Sequence, residues 1–105
     1  MQRVALSAPE WATTGYLART FTDRLLGVWR APAGSAVVLP VTSVHSFGRR
    51  RALDLVGIDA GMRVVATMTL RPNRVMFIPS ARMIVELPAG SPLPEVGDQI
   101  EITHG

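Results

Sequence analysis

The chain contains no cysteine and no lysine, and each absence narrows what the protein can be. Without cysteine, disulfide bonds, thiolate metal sites and a cysteine nucleophile are all excluded. Aromatic residues make up only 6% of the sequence and charged residues 18%, whereas 48% of the residues are hydrophobic. That apolar content is typical of a packed core and argues against intrinsic disorder.

Long hydrophobic runs are also missing. No segment approaches the roughly 20 apolar residues that a membrane-spanning helix needs. The N-terminal stretch 1–15 lacks the sustained apolar region of a secretory signal. We therefore expect one domain over residues 1–105, soluble and cytoplasmic, with a single core.

The positive charge of the chain has two interpretations. All eleven basic residues are arginine, the formal net charge is +3, and the isoelectric point is near 11.0. A compositional bias explains these values in part, whereas a nucleic-acid partner requires the arginines to gather on one surface. Only Arg49, Arg50 and Arg51 are adjacent in the sequence.

Short apolar segments bounded by glycine and proline dominate the chain and predict β-strands. We expect strands at 3–6, 15–20, 36–39, 53–59, 63–70, 75–78, 82–87 and 99–103. One stretch has helical periodicity instead, because Phe21, Leu25 and Trp29 form an apolar stripe after the N-cap residue Thr20. The sequence predicts a mainly β (α+β) fold: a small antiparallel barrel or rolled sheet, with a short helix at about 20–30 packed across it.

The stretch 43–59 holds most of the chemically interesting side chains. Asp54 lies inside an apolar strand, where an unpaired charge is costly to bury. We expect its carboxylate to be buried and bonded to backbone amides or to an arginine. Glu86 interrupts another apolar strand in the same way.

These acids suggest one enzymatic hypothesis. His45 with Asp54 or Glu86 would supply the base and the acid of a hydrolase-like enzyme, and two paired carboxylates would serve acid–base chemistry. No serine motif, metal-ligand spacing or phosphate-binding loop accompanies His45, Asp54 and Glu86. No cofactor or metal ion is expected.

Two binding hypotheses stand beside the enzymatic one. The first is a non-catalytic module that binds a ligand or a protein partner in a cleft formed by the following residues: His45, Phe47, Arg49, Arg50, Arg51 and Asp54. The second is a weak nucleic-acid binder that uses the arginine run, because guanidinium groups match the geometry of phosphates. Strand alternation would turn Arg50 inward, towards Asp54 or the cleft, and leave Arg49 and Arg51 in solvent.

Several motifs in order resemble a bacterial and archaeal family called domain of unknown function 192. The matching segments run from residue 17 to about residue 100: Ala18-x-Thr20-x-x-x-Arg24-x-x-Gly27, Gly34, Val37-Val38-Leu39, Ser43-Val44-His45-Ser46-Phe47-Gly48, 53–59, Leu70-Arg71-Pro72-x-Arg74, 85–90 and Val96-Gly97-Asp98. This chain departs from the pattern at 49–52, where one branch of the family has Met-Arg-Phe-Pro. The resemblance implies a fold and no reaction.

Overall fold

The computed structural model describes residues 2–18 and 35–104, and these two ranges form nine strands and no helix. The predicted helix at about 20–30, with Phe21, Leu25 and Trp29, lies outside the described residues. The strands are β1 (Gln2–Ala8), β2 (Trp11–Leu17), β3 (Ala36–Leu39), β4 (Ser43–His45), β5 (Leu53–Ile58), β6 (Val64–Leu70), β7 (Val75–Phe77), β8 (Met83–Pro88) and β9 (Glu101–His104).

Seven of these strands form one sheet in the order β6-β5-β8-β3-β2-β1-β9. Neighbours are antiparallel except β2 and β3, which run parallel. The two ends of the sheet meet at a single bridge between Arg63 and Gln99, and the ladder does not continue from there. The expected mainly β class is therefore confirmed, and the closed-barrel alternative is not. Pro92 and Pro94 precede the bridge and lack the amide donors that a continuous ladder requires.

The three central strands β3, β5 and β8 are buried along almost their entire lengths, so the sheet has apolar cores on both faces. One cluster contains Val4, Leu6, Trp11, Ala36, Val38, Val56, Ile58, Val64, Val85, Leu87 and Ile100. The other contains Ala18, Val37, Leu39, Val44, Leu53, Leu55, Leu70, Ile78, Ala81 and Ile84. Successive residues of each strand alternate between the two clusters, as the pleat requires.

A separate two-stranded ribbon of β4 and β7 covers part of the second cluster. Val44 and Met76 are directly opposite each other and pack inward against that core. The outward row consists of Ser43, His45, Val75 and Phe77. No strand was predicted at β4, because three residues are too few to display a period of two.

The first hairpin also differs from expectation. The second strand was predicted at 15–20, whereas β2 begins at Trp11 and pairs with β1 around the two-residue turn Pro9–Glu10. Trp11 is buried, and its ring N–H donates to the carbonyl of Pro92 at 2.8 Å. That contact anchors a segment whose sequence did not indicate its conformation.

The parallel pairing of β2 with β3 depends on a glycine, which gives a prediction for stability. A Cβ atom at Gly15 would lie 2.6 Å from the carbonyl oxygen of Ala36. This oxygen belongs to the backbone of β3, so it cannot move aside by a change of rotamer as a side chain can. We expect Gly15→Ala to lower the free energy of unfolding by about 1–3 kcal/mol, the range for overpacked interiors. Gly57→Ala is the matched control, since its Cβ would meet the Ile78 side chain at 3.0 Å. Urea unfolding of both variants tests this, and an equal or smaller loss at Gly15 would contradict it.

Candidate functional site

Asp54 is buried within β5, with 6% of its surface exposed, as the sequence predicted. Its carboxylate accepts a hydrogen bond from the Thr69 hydroxyl on one oxygen and from the Gly90 amide on the other, each at 2.9 Å. A backbone amide is one of the two partners that were expected. The carboxylate therefore joins β6 and the turn after β8 to β5, which is a structural role.

Glu86 is buried in β8 among apolar neighbours on the adjacent strands. Burial raises the pKa of its carboxyl from 4.5 to about 7, and the positive charge of Arg49 opposes that rise. A carboxylic acid in this setting is protonated in a large fraction of molecules at neutral pH.

The two acids point to opposite faces of the sheet. Asp54 is paired with Leu87, a member of the first core cluster, so its side chain lies on that face. Glu86 is paired with Leu55, a member of the second cluster, so its side chain lies on the other face. The two do not form the carboxylate pair considered from the sequence, because one backbone layer separates them.

His45 lies at the end of β4 with its side chain exposed. Its Nδ1 accepts the amide of Phe47 at 3.3 Å, and the two rings stack with centroids 5.2 Å apart and an interplanar angle of 24°. Within the described part of the chain, no hydrogen bond joins His45 to Asp54 or Glu86. The structure therefore brings the histidine to an aromatic neighbour and not to a carboxylate.

The arginine run departs from the expected orientation at Arg49 and Arg50, whereas Arg51 is exposed as expected. Arg49 is half-buried and close enough to Glu86 to affect its pKa, whereas Arg50 and Arg51 are exposed. The prediction that Arg50 turns inward was wrong, because residues 46–52 form a turn in which strand alternation does not apply. The turn begins with a hydrogen bond from the Arg49 amide to the Ser46 carbonyl at 3.2 Å.

Ser46 is fully buried and joins this turn to the loop between β6 and β7. Its hydroxyl donates to the Arg71 carbonyl and accepts the Arg74 amide, while its own amide donates to the Arg74 carbonyl. Its carbonyl accepts the amide of Asn73. The two arginine-bearing loops are thus held side by side by one residue that the sequence did not single out.

The outward side of the ribbon carries exposed aromatic and apolar side chains, and exposed arginines lie in the two loops next to it. Phe47 is 56% exposed, Phe77 68% and Val75 50%. We call this surface the ribbon face and define it as His45, Phe47, Val75 and Phe77 with the exposed Arg50, Arg51, Arg71 and Arg74. Val75 and Phe77 were missed as site residues. Their alternation with Met76 and Ile78 was the signal, but only the pairing with β4 decides which side faces solvent.

The described residues also form a groove that none of the predicted site residues lines. It has a volume of about 270 Å³ and is lined by Pro9, Glu10, Trp11, Pro94, Glu95 and Asp98. The described residues contain no cluster of histidines and acids that is suited to hold a metal ion. They also contain no helix of the length and hydropathy required to cross a membrane.

The bonds of Asp54 give a second stability prediction. Asp54→Ala removes the acceptor of one hydroxyl and one amide, so we expect a loss of about 1.5–3 kcal/mol in the free energy of unfolding, the range for hydrogen bonds to a charged group. This is below the roughly 3–5 kcal/mol of a broken buried ion pair. Thr69→Val should lower the free energy of unfolding by less, because it removes only one of the two hydrogen bonds to the carboxylate. Chemical denaturation measures both, and an Asp54→Ala variant as stable as the parent would contradict the assignment.

The raised pKa of Glu86 gives a prediction for pH. Between about pH 4.5 and pH 7 the folded protein binds more protons than the unfolded chain, so stability contributed by this group falls as pH rises and levels off above about 7. Glu86→Gln abolishes that dependence and should be more stable than the parent at about pH 8 by on the order of 3 kcal/mol. Thermal unfolding across this range tests it, with Glu101→Gln on the exposed β9 as control. An unchanged pH profile in Glu86→Gln would refute it.

Comparison of this chain with known proteins identifies a sequence relative. No family model matches the chain, so the finer resemblance to domain of unknown function 192 stays a prediction. A UPF0127 protein of Pyrococcus horikoshii is 35% identical over 103 residues, which covers 87% of this chain and 89% of the relative.

Two solved structures share the fold. A candidate transcription regulator of Sinorhizobium meliloti superimposes with a TM-score of 0.73 at 18% identity, covering 95% of this chain and 92% of that chain. A protein of unknown function from Novosphingobium aromaticivorans gives a TM-score of 0.71 at 15% identity, covering 94% and 83%. At these identities the likeness concerns the fold alone. The sequence relative spans most of both chains, and the chain therefore belongs to the UPF0127 family.

Proposed function

We propose that this protein is a non-catalytic binding module and that the ribbon face is its binding surface. The observation that supports this is that Phe77 lies in the outward row of the ribbon and Phe47 stacks on His45 of the same row, each phenylalanine being more than half exposed. Single exposed apolar residues are common, but a contiguous patch rimmed by charged residues is typical of an interaction site. Of the residues predicted to bind, His45, Phe47, Arg50 and Arg51 belong to this surface, while Asp54 serves the sheet.

The hydrolase-like alternative has weaker support from the geometry. A general base needs its orienting acid within hydrogen-bond reach. The Nδ1 atom of His45 accepts the Phe47 amide, and the carboxylate of Asp54 accepts Thr69 and Gly90. Glu86 is buried in the sheet, on the face opposite to Asp54. Membership of the UPF0127 family does not indicate that the protein catalyses a reaction. The expectation of a cytoplasmic location remains part of this proposal.

Nucleic acid is the second candidate among binding functions, and the position of the arginines favours it. Arg71 and Arg74 join the run 49–51 through the hydrogen bonds of Ser46. The sequence alone showed only three adjacent arginines with one aromatic beside them. In the structure, the loop between β6 and β7 places two more arginines beside this run, and β7 adds a second exposed phenylalanine.

The proposal is tested by mapping which amides respond to ligands. We would titrate the ¹⁵N-labelled protein with a panel of probes: an oligouridylate, an oligothymidylate, ATP, polyphosphate, and an acidic and an apolar peptide. We expect at least one probe to shift amides within 43–51 and 71–77, because these two ranges contain the residues of the ribbon face. Phe77→Ser should abolish the shifts, whereas Val96→Ser, at an equally exposed apolar site outside the face, should keep them.

Two outcomes contradict the proposal. One is a response confined to the groove at Trp11 and Pro94. The other is no response to any probe while the labelled protein is folded. Phe77 and Val96 are both exposed, so the free energy of unfolding of Phe77→Ser and of Val96→Ser should lie within about 0.5 kcal/mol of the parent's, which denaturation followed by circular dichroism checks.

A further inference from the structure

We infer that the ribbon face binds single-stranded nucleic acid, with bases stacked on Phe47 and Phe77 and phosphates held by Arg50, Arg51, Arg71 and Arg74. This inference rests on the proposed function, since it names the partner of the same surface. Three features of the described residues carry it: the separation of charge, the arrangement of the rings and the rigidity of the loops.

Charge is strongly separated within the described part of the chain. Residues 43–53 and 70–82, which build the ribbon face and its flanks, contain six arginines and no acidic residue. The rest of the described chain contains two arginines and seven acidic residues. A net charge of +3 therefore understates the local charge. A basic surface of this kind attracts a polyanion and accelerates its association.

The rings lie where an unstacked base can reach them. Phe77 is opposite Ser43 and His45 is opposite Val75, so Phe77 is a diagonal neighbour of His45 on the same side of the ribbon. Diagonal neighbours in such a pair are about 7 Å apart. His45 in turn stacks on Phe47, which extends the aromatic surface towards the arginine turn. Aromatic side chains beside a cationic track are the means by which many proteins bind single strands.

The chemistry of the face favours a single strand over other partners. Duplex bases are stacked on each other and present only their edges, so the exposed ring faces would gain nothing from a double helix. A second copy of this chain would bring two arginine-rich surfaces together, and like charges repel. Guanidinium groups bind phosphates through two parallel hydrogen bonds and also stack on bases. A protein partner remains an outcome of the test.

The loops that present the arginines are held before any ligand arrives. Ser46 fastens the backbone of Arg71, Asn73 and Arg74 to the turn that begins with Phe47. The Gly48 amide adds a hydrogen bond to the Asn73 side chain at 3.1 Å. A surface fixed in this way loses less entropy on binding than a loose loop would.

The test is fluorescence anisotropy with labelled oligouridylate and oligothymidylate of about twelve nucleotides, within the span of known single-strand sites, and with a duplex of equal length. If four phosphates are neutralised, the single-strand affinity should fall about fiftyfold between about 50 mM and about 200 mM salt. Arg50→Ser/Arg51→Ser should reduce the slope of log affinity against log salt by about 1.4. Phe77→Ala should lower affinity by between about fivefold and about 150-fold with the slope unchanged.

Matched controls separate the surface from general charge and stability. Arg3→Ser removes an exposed arginine of β1, and Val96→Ala removes exposed apolar area, both outside the ribbon face. Each should leave affinity and slope as in the parent. All variants are used only after circular dichroism shows the parent fold. Ser46→Ala tests the contribution of loop rigidity. It removes the hydroxyl that bonds to the backbone of Arg71 and Arg74, so the loops should be held less firmly and binding should be weaker.

The following results overturn the inference. They are no anisotropy change at about 50 mM salt, equal affinity for the duplex, or an Arg3→Ser effect equal to that of the double arginine variant. If oligonucleotides fail but another probe of the NMR panel shifts the ribbon-face amides, the proposed function stands and the nucleic-acid partner is wrong. If no probe shifts them, both fall.

Discussion

Burial of the central strands on both faces is the constraint from which the rest of the architecture follows. Strands β3, β5 and β8 are apolar on both sides, so each face of the sheet requires a cover. Rolling of the long sheet encloses the first core, and the ribbon of β4 and β7 covers part of the second. A two-stranded cover has an inner and an outer row. Val44 and Met76 pack against the core, and the residues of the outer row are therefore exposed to solvent. The position of Phe77 on the surface is thus a consequence of how the core is closed.

Buried polar groups in this protein fix the connections between its parts. Asp54 joins β5 to β6 and to the turn at Gly90, and Ser46 joins two loops that are far apart in sequence. These two side chains form their hydrogen bonds with backbone groups or with a neighbouring hydroxyl, as low-dielectric surroundings demand. Glu86 is different, because desolvation dominates its surroundings and raises its pKa to about 7. The charge of Arg49, reaching in from the arginine turn, couples that turn electrostatically to the interior of the sheet.

The charged residues are distributed unevenly between the segments of the chain. Within residues 2–18 and 35–104, the acidic residues lie on the long sheet and its loops, whereas the ribbon and its flanking segments carry arginines and no acid. Such a distribution concentrates positive charge in the segments that build and flank the ribbon, although the formal net charge of the whole chain is +3. The exposed Phe47 and Phe77 lie in the same segments, together with a histidine that stacks on Phe47. This combination of aromatic area and cationic charge is the physical basis of the proposed binding role of the ribbon face.

Local pattern in the chain was sufficient for the mainly β class, for most of the long strands and for the burial of Asp54. Apolar runs bounded by glycine and proline act over a few residues, and a lone acid inside such a run must find a partner wherever the run is buried. Local pattern did not determine the register in which the strands pair. Whether Asp54 and Glu86 share a face depends on how β5 pairs with β8, and whether Phe77 is exposed depends on its pairing with the three-residue β4. The inward course of Arg49 follows from a turn closed on Ser46, which in turn bonds to a loop 25 and 28 residues away. These features are set by contacts between distant segments, and a one-residue change of register would reverse every face.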